Sequence, residues 1–156
     1  MRTLLTALTL AALGVASAAT TTQYAMLTNV TPTPQGLRVT ADYVDVFTPG
    51  PLEYARAQKL GFQGTLSAFY ARMPGGLWVR NVNPQVRTLL FPTGTTFALA
   101  CLQDQEGVRV VDAATFTAAW AGRPPKGCWP DTPKRLLVSV VSEDGGVAYV
   151  AQVYQP

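Results

Sequence analysis

The chain has 156 residues, 48% of them apolar and only 13% charged, with a formal charge of +3 and no histidine. That length accommodates one domain, and the apolar content is too high for a disordered chain. The 13 glycines and 12 prolines interrupt it too often for a long-helix protein. Without histidine there is no Ser-His-Asp triad, no Cys-His dyad and no His-ligated metal site.

Residues 1–18 read as a secretory signal peptide. Arg2 supplies the positive start, residues 3–15 form an apolar stretch, and Ala16-Ser17-Ala18 places small residues at the cleavage site. Crossing a bilayer takes about 20 apolar residues, and no later stretch is that long, so no transmembrane segment is expected after cleavage. A single exported domain at 19–156 remains, carrying +2 once Arg2 is removed. Its expected location is the periplasm, the cell envelope or the medium. In such an oxidising compartment Cys101 and Cys128, the only cysteines, are expected to form a disulfide. Closing that loop stabilises the fold by roughly 3–4 kcal/mol on chain-entropy arithmetic. The spacing is not C-x-x-C, so a redox role is not expected.

Along the mature chain, residues 20–29 are rich in β-branched and aromatic types and predict a strand. The cluster Thr31-Pro32-Thr33-Pro34-Gln35-Gly36 predicts a turn. A long strand follows at 37–47, where Leu37, Val39, Ala41 and Tyr43 alternate with polar residues. The alternation fails from Val44 onward, which predicts a bulge or burial on both faces near Asp45. Thr48-Pro49-Gly50-Pro51 breaks the strand and opens a helix over 52–60, with Gly61 after its end. A second short helix is predicted at 65–73, ended by Pro74-Gly75-Gly76. Strands at 77–82 and 86–91 flank the turn signal Asn83-Pro84. Further strands are predicted at 95–102 and 108–111, then a helix from an Asp112 cap through Trp120 to Gly122. A proline-rich loop carries Cys128 and Trp129, and a hairpin at 136–141 and 147–154 turns around Glu143-Asp144-Gly145-Gly146.

Seven or eight strands and two or three short helices predict a β-rich α+β fold. A small, partly open OB-like barrel or an antiparallel sheet suits the element order, with a β-sandwich as the alternative.

Three segments carry a resemblance. They are Asp42-Tyr43-Val44-Asp45-Val46-Phe47 with the break and helix after it, Trp78-Val79-Arg80-Asn81-Val82-Asn83-Pro84 with Arg87-Thr88-Leu89, and the closing residues 144–154. Together they resemble an uncharacterised group of secreted bacterial domains, departing from it at Ala151 and in the insertion-like 61–74. The resemblance implies secretion and a similar fold, and brings no activity with it.

The sharpest candidate ligand-binding residues are Arg80, Asn81, Asn83 and Arg87. Two guanidiniums and two carboxamides beside a hairpin turn suit a carboxylate, a phosphate or a sugar. The competing reading has the asparagines shaping the turn and the arginines paired with Asp42 or Asp45. Asp42 and Asp45 are also the weak candidates for a catalytic carboxylate pair, although residues three apart on a regular strand point to opposite faces. Neither a metal site nor a cofactor motif is found, and no G-x-S-x-G or phosphate-loop pattern surrounds the serines or glycines.

Arg56, Lys59, Arg72, Arg80 and Arg87 are interleaved with Phe62, Phe69, Tyr70 and Trp78. That mixture suits an OB-like groove for a polyanion or single-stranded nucleic acid, but a charge of +2 is small for that purpose. Nucleic acid is therefore not the expected partner. The sequence favours a non-catalytic exported binding or envelope-associated domain, with an extracytoplasmic protein, a glycan or a small anion as partner. A small extracytoplasmic hydrolase and a polyanion binder are the alternatives.

Overall fold

A computed structural model describes residues 19–82, 85–129 and 133–154. The segment read as a signal peptide lies outside the described residues, as does Asn83. Strands β1 (Thr20–Thr33) and β2 (Gly36–Phe47) form a long hairpin in which Thr33 pairs with Gly36. The turn is thus shorter than the proline cluster predicts, and Pro32 lies within β1 opposite Leu37. Proline is tolerated there because β7 accompanies the other side of β1 only as far as Leu27. Gly36 is obligatory: its φ is 132°, and a Cβ would stand 2.0 Å from the Phe91 carbonyl oxygen.

Helices α1 (Pro51–Lys59) and α2 (Leu66–Tyr70) follow, the second capped by the Thr65 hydroxyl accepting from the Ala68 N–H. Strands β3 (Trp78–Arg80) and β4 (Val86–Pro92) both pair with β2, on the side away from β1. They do not pair with each other, so the expected hairpin around Asn83-Pro84 is instead an interrupted strand. β3 lies along residues 45–47 of β2 and β4 along residues 36–42.

Strands β5 (Thr96–Ala100) and β6 (Val108–Val111) form a hairpin. Helix α3 (Ala113–Trp120) then begins at Asp112, whose carboxylate accepts from the Thr115 N–H at 2.7 Å. Strands β7 (Leu136–Glu143) and β8 (Gly146–Gln152) close the chain around Asp144-Gly145, both at positive φ. That is the backbone of a two-residue hairpin turn, for which Asp-Gly is a favoured pair.

All eight strands join one sheet in the order β3-β2-β1-β7-β8-β5-β6, with β4 also on β2. Every pairing is antiparallel except β5 with β8. The sheet curls, bringing β4 towards β8 without closing, and leaves a cleft of about 340 Å³ lined by Leu89, Val140 and Val147. The fold is β-rich α+β, a partly open sheet with three short helices. One continuous sheet replaces the β-sandwich alternative.

Two apolar clusters hold it together. The larger joins the inner face of the sheet to α3 through Leu27, Val39, Phe91, Phe97, Phe116 and Val138. The smaller consists of Phe47, Ala57, Phe69 and Met73 under α1 and α2, with Tyr54, Phe62 and Trp78 packed against them. Each fully buried aromatic or branched side chain contributes about 1.5–3 kcal/mol. The Cys101–Cys128 disulfide is formed, pinning the proline-rich loop to the end of β5. Among the described residues no helix is long and apolar enough to cross a membrane.

Candidate functional site

A groove of about 580 Å³ opens at one end of the β1–β2 ladder. Its origin is in the register. The β1–β2 ladder stops at Tyr24 opposite Val44, while β1 continues outward through residues 20–23 paired with β7 alone. Past the same end of the ladder β2 runs on with β3, so the two strands part and leave the groove between them. Gln23 and Tyr24 form one wall, Tyr43 and Asp45 the other, and Arg56 and Arg80 reach in from α1 and β3.

The failed alternation after Val44 has its explanation here. Val46 and Phe47 are both buried, because the helices cover this end of β2 on the side that the sheet core does not. The bulge lies in the neighbouring strand, where Thr28 is the extra residue between Leu27 and Asn29.

The charges of the groove are matched within its walls. Arg56 makes a 2.7 Å ion pair with Glu53, lies over the Phe47 ring at 4.1 Å and donates to the Val46 carbonyl. Arg80, opposite Asp45 in the register, stands 3.9 Å from its carboxylate. It also donates to the Leu60 carbonyl oxygen at 2.7 Å, closing the C-terminal end of α1 where a cation opposes the helix dipole.

The sequence-predicted residues are partly assembled: Arg80 and Asn81 both line the groove, and Arg87 does not. Arg80 lines the groove with its side chain only 16% exposed. Asn81, next along, donates to the Asp42 carboxylate, whose other oxygen is buried without a partner among the described residues. Arg87 is separate: it takes Gln85 as acceptor at 3.1 Å and lies 5.2 Å over the Tyr43 ring. Asp42 is bound by Asn81 and Asp45 lies beside Arg80, and of the two carboxylates only Asp45 lines the groove. The carboxylate pair is not brought together.

Of the aromatic residues interleaved with the cations in sequence, Phe62, Phe69 and Trp78 pack together, whereas Tyr70 is exposed. Phe62, Phe69 and Trp78 contact one another edge-to-face, and Trp78 stacks on Phe47 at 5.1 Å. Trp120 is half-buried against the sheet core and donates its Nε1–H to the Leu27 carbonyl. Trp129 meets Tyr154 edge-on at 4.7 Å beside the disulfide loop.

Comparison with family models, curated proteins and solved structures gives no match for this chain. The residues that sequence reasoning missed are those of β1. Thr22, Gln23 and Tyr24 acquire a role only because the β1–β2 ladder ends before β1 does. No local signal in the sequence marks where the ladder between two strands ends.

The resolved charge effects lie elsewhere. The Arg109 guanidinium, hydrogen-bonded to Asp104 at 2.7 Å, holds that carboxyl below its ordinary range, and its own pKa is raised by the same contact. The Thr115 backbone N–H does the same for the Asp112 carboxyl at the start of α3.

Proposed function

We propose that this chain is an exported, non-catalytic binding domain, and that the groove between β1 and β2 is its recognition site. The observation carrying the reading is the groove itself, a preformed concavity of about 580 Å³ with mixed polar and aromatic walls. The leader-like residues 1–18 and the disulfide support an extracytoplasmic setting. A hydrolase based on Asp42 and Asp45 is disfavoured because Asp45 lines the groove and Asp42 does not, whereas such chemistry needs two carboxylates flanking one cleft. A polyanion site is disfavoured by the pairing of Arg56 with Glu53 and of Arg80 with Asp45. The partner class that fits is an extracytoplasmic protein.

Residues 19–156 immobilised and exposed to an envelope extract test the reading, beside a Gln23→Trp variant that fills the groove. The expected result is a captured component that the variant, melting at the same temperature, no longer retains. No capture, or equal capture by both proteins, overturns it.

A further inference from the structure

We infer that the groove receives an extended polypeptide segment as an added β-strand along residues 20–23 of β1, an inference that rests on the binding reading above. Residues 20–23 are held by β7, with Thr20 opposite Glu143 and Gln23 opposite Val140, so this edge is ordered before anything binds. On the β2 side they face no strand among the described residues, because that ladder begins at Tyr24. Backbone groups on a strand alternate in direction, so two of these four residues present N–H and C=O towards the groove. An exposed edge of this kind is a template for a further strand, and extended peptides are recognised in this way.

The chemistry of the walls selects the occupant. Asp45, Glu53, Arg56 and Arg80 contribute two charges of each sign, paired with one another, so the groove offers no unmatched charge to an anion. A neutral peptide backbone needs none. Of the two tyrosines lining the groove, Tyr43 already carries Arg87 over its ring, which leaves less open aromatic face for a sugar. The opposite wall is already in use, with Arg56 holding the Val46 carbonyl, so hydrogen-bonding capacity is concentrated on β1. Tyr24 and Tyr43 at the inner end are placed to take alternate side chains of the incoming strand.

The test uses phage-displayed random octapeptides selected on residues 19–156, with each selected peptide resynthesised carrying N-methyl groups at alternate positions. N-methylation in one of the two alternating sets is expected to weaken binding at least about tenfold, and in the other set to leave it nearly unchanged. Bound peptide is expected to slow amide exchange at residues 20–23. Thr22→Pro and Gln23→Pro serve as paired variants, since adjacent residues address opposite sides of β1. One removes a donor from the groove edge and weakens binding at unchanged stability, while the other disturbs the ladder with β7 and lowers the melting temperature. Binding indifferent to both methylation sets, exchange protection confined to other segments, or no selected peptide overturns the inference. If no peptide is selected but groove-dependent envelope capture persists, the binding reading stands and strand addition falls. If envelope capture fails as well, both fall.

Discussion

The Arg80 guanidinium donates to the Leu60 carbonyl oxygen at 2.7 Å, so a strand residue closes the end of a helix 20 positions earlier in the chain. Arg80 is thus committed to the fold before any ligand arrives. Arg80→Ala is expected to lower stability by about 1–2 kcal/mol, the scale of a lost charge-assisted hydrogen bond. Arg87, exposed on β4, is expected to tolerate alanine within about 0.5 kcal/mol. Thermal denaturation of the two single variants checks both expectations. Equal melting temperatures would mean that the Leu60 contact contributes nothing.

Phe69 touches Phe47, Tyr54, Phe62 and Trp78, and is fully buried. Phe69→Ala removes the centre of the smaller cluster and is expected to cost about 3–5 kcal/mol. Urea denaturation measures it. An unchanged midpoint would show that α1 and α2 are not coupled to the unfolding of the sheet.

Gln152 is the buried polar side chain of the sheet. Its Oε1 accepts from the Ala100 N–H at 3.0 Å and its Nε2 donates to the Trp129 carbonyl at 3.3 Å. Gln152→Leu keeps similar bulk but leaves the Ala100 donor without this acceptor, at a cost of about 1–3 kcal/mol. Denaturant melts of the variant with the disulfide intact isolate that cost, and a gain in stability would refute it.

The disulfide is checked by counting thiols in the unfolded, unreduced domain, where none are expected. Reduction is expected to lower stability by roughly 3–4 kcal/mol, given a sequence separation of 27. Detection of two free thiols would show that the bond is not made.

The lowered carboxyls of Asp104 and Asp112 give stability an acid limb. Each has a folded pKa below its unfolded value of about 3.9, so its contribution is fully present above that pH. It is lost as pH falls through the folded value. Melting temperature from these two groups is therefore expected to be flat near neutrality and to decline below about pH 4. Asp112→Asn keeps an acceptor at the cap but removes the titration, and should flatten that limb. An unaltered limb in the double variant with Asp104→Asn would assign it to other groups.

Local signals in the sequence were sufficient where the structure is local. Asp112 does cap α3, Gly61 does follow the end of α1, Asp144-Gly145 does turn the last hairpin, and Cys101 does join Cys128. The interruption between β3 and β4 was not legible. Asn83-Pro84 marks a break equally well whether the chain reverses or resumes along the same neighbour. The role of Arg80 was hidden for a similar reason, since its acceptor lies on another element. The reading that paired the arginines with Asp42 or Asp45 came nearest, with Arg80 beside Asp45. Arg87 went instead to Gln85 and Tyr43, and Asp42 to Asn81.

The sheet order has a consequence for how the molecule comes into being. β7 and β8, last of the eight strands in chain order, occupy its middle, between β1 and β5. Until they arrive, no strand joins the β1–β2 hairpin to the β5–β6 hairpin, although α3 packs on both β1 and β5. The sheet is therefore completed only when the final strands are delivered, since residues 136–152 supply the two strands between its halves.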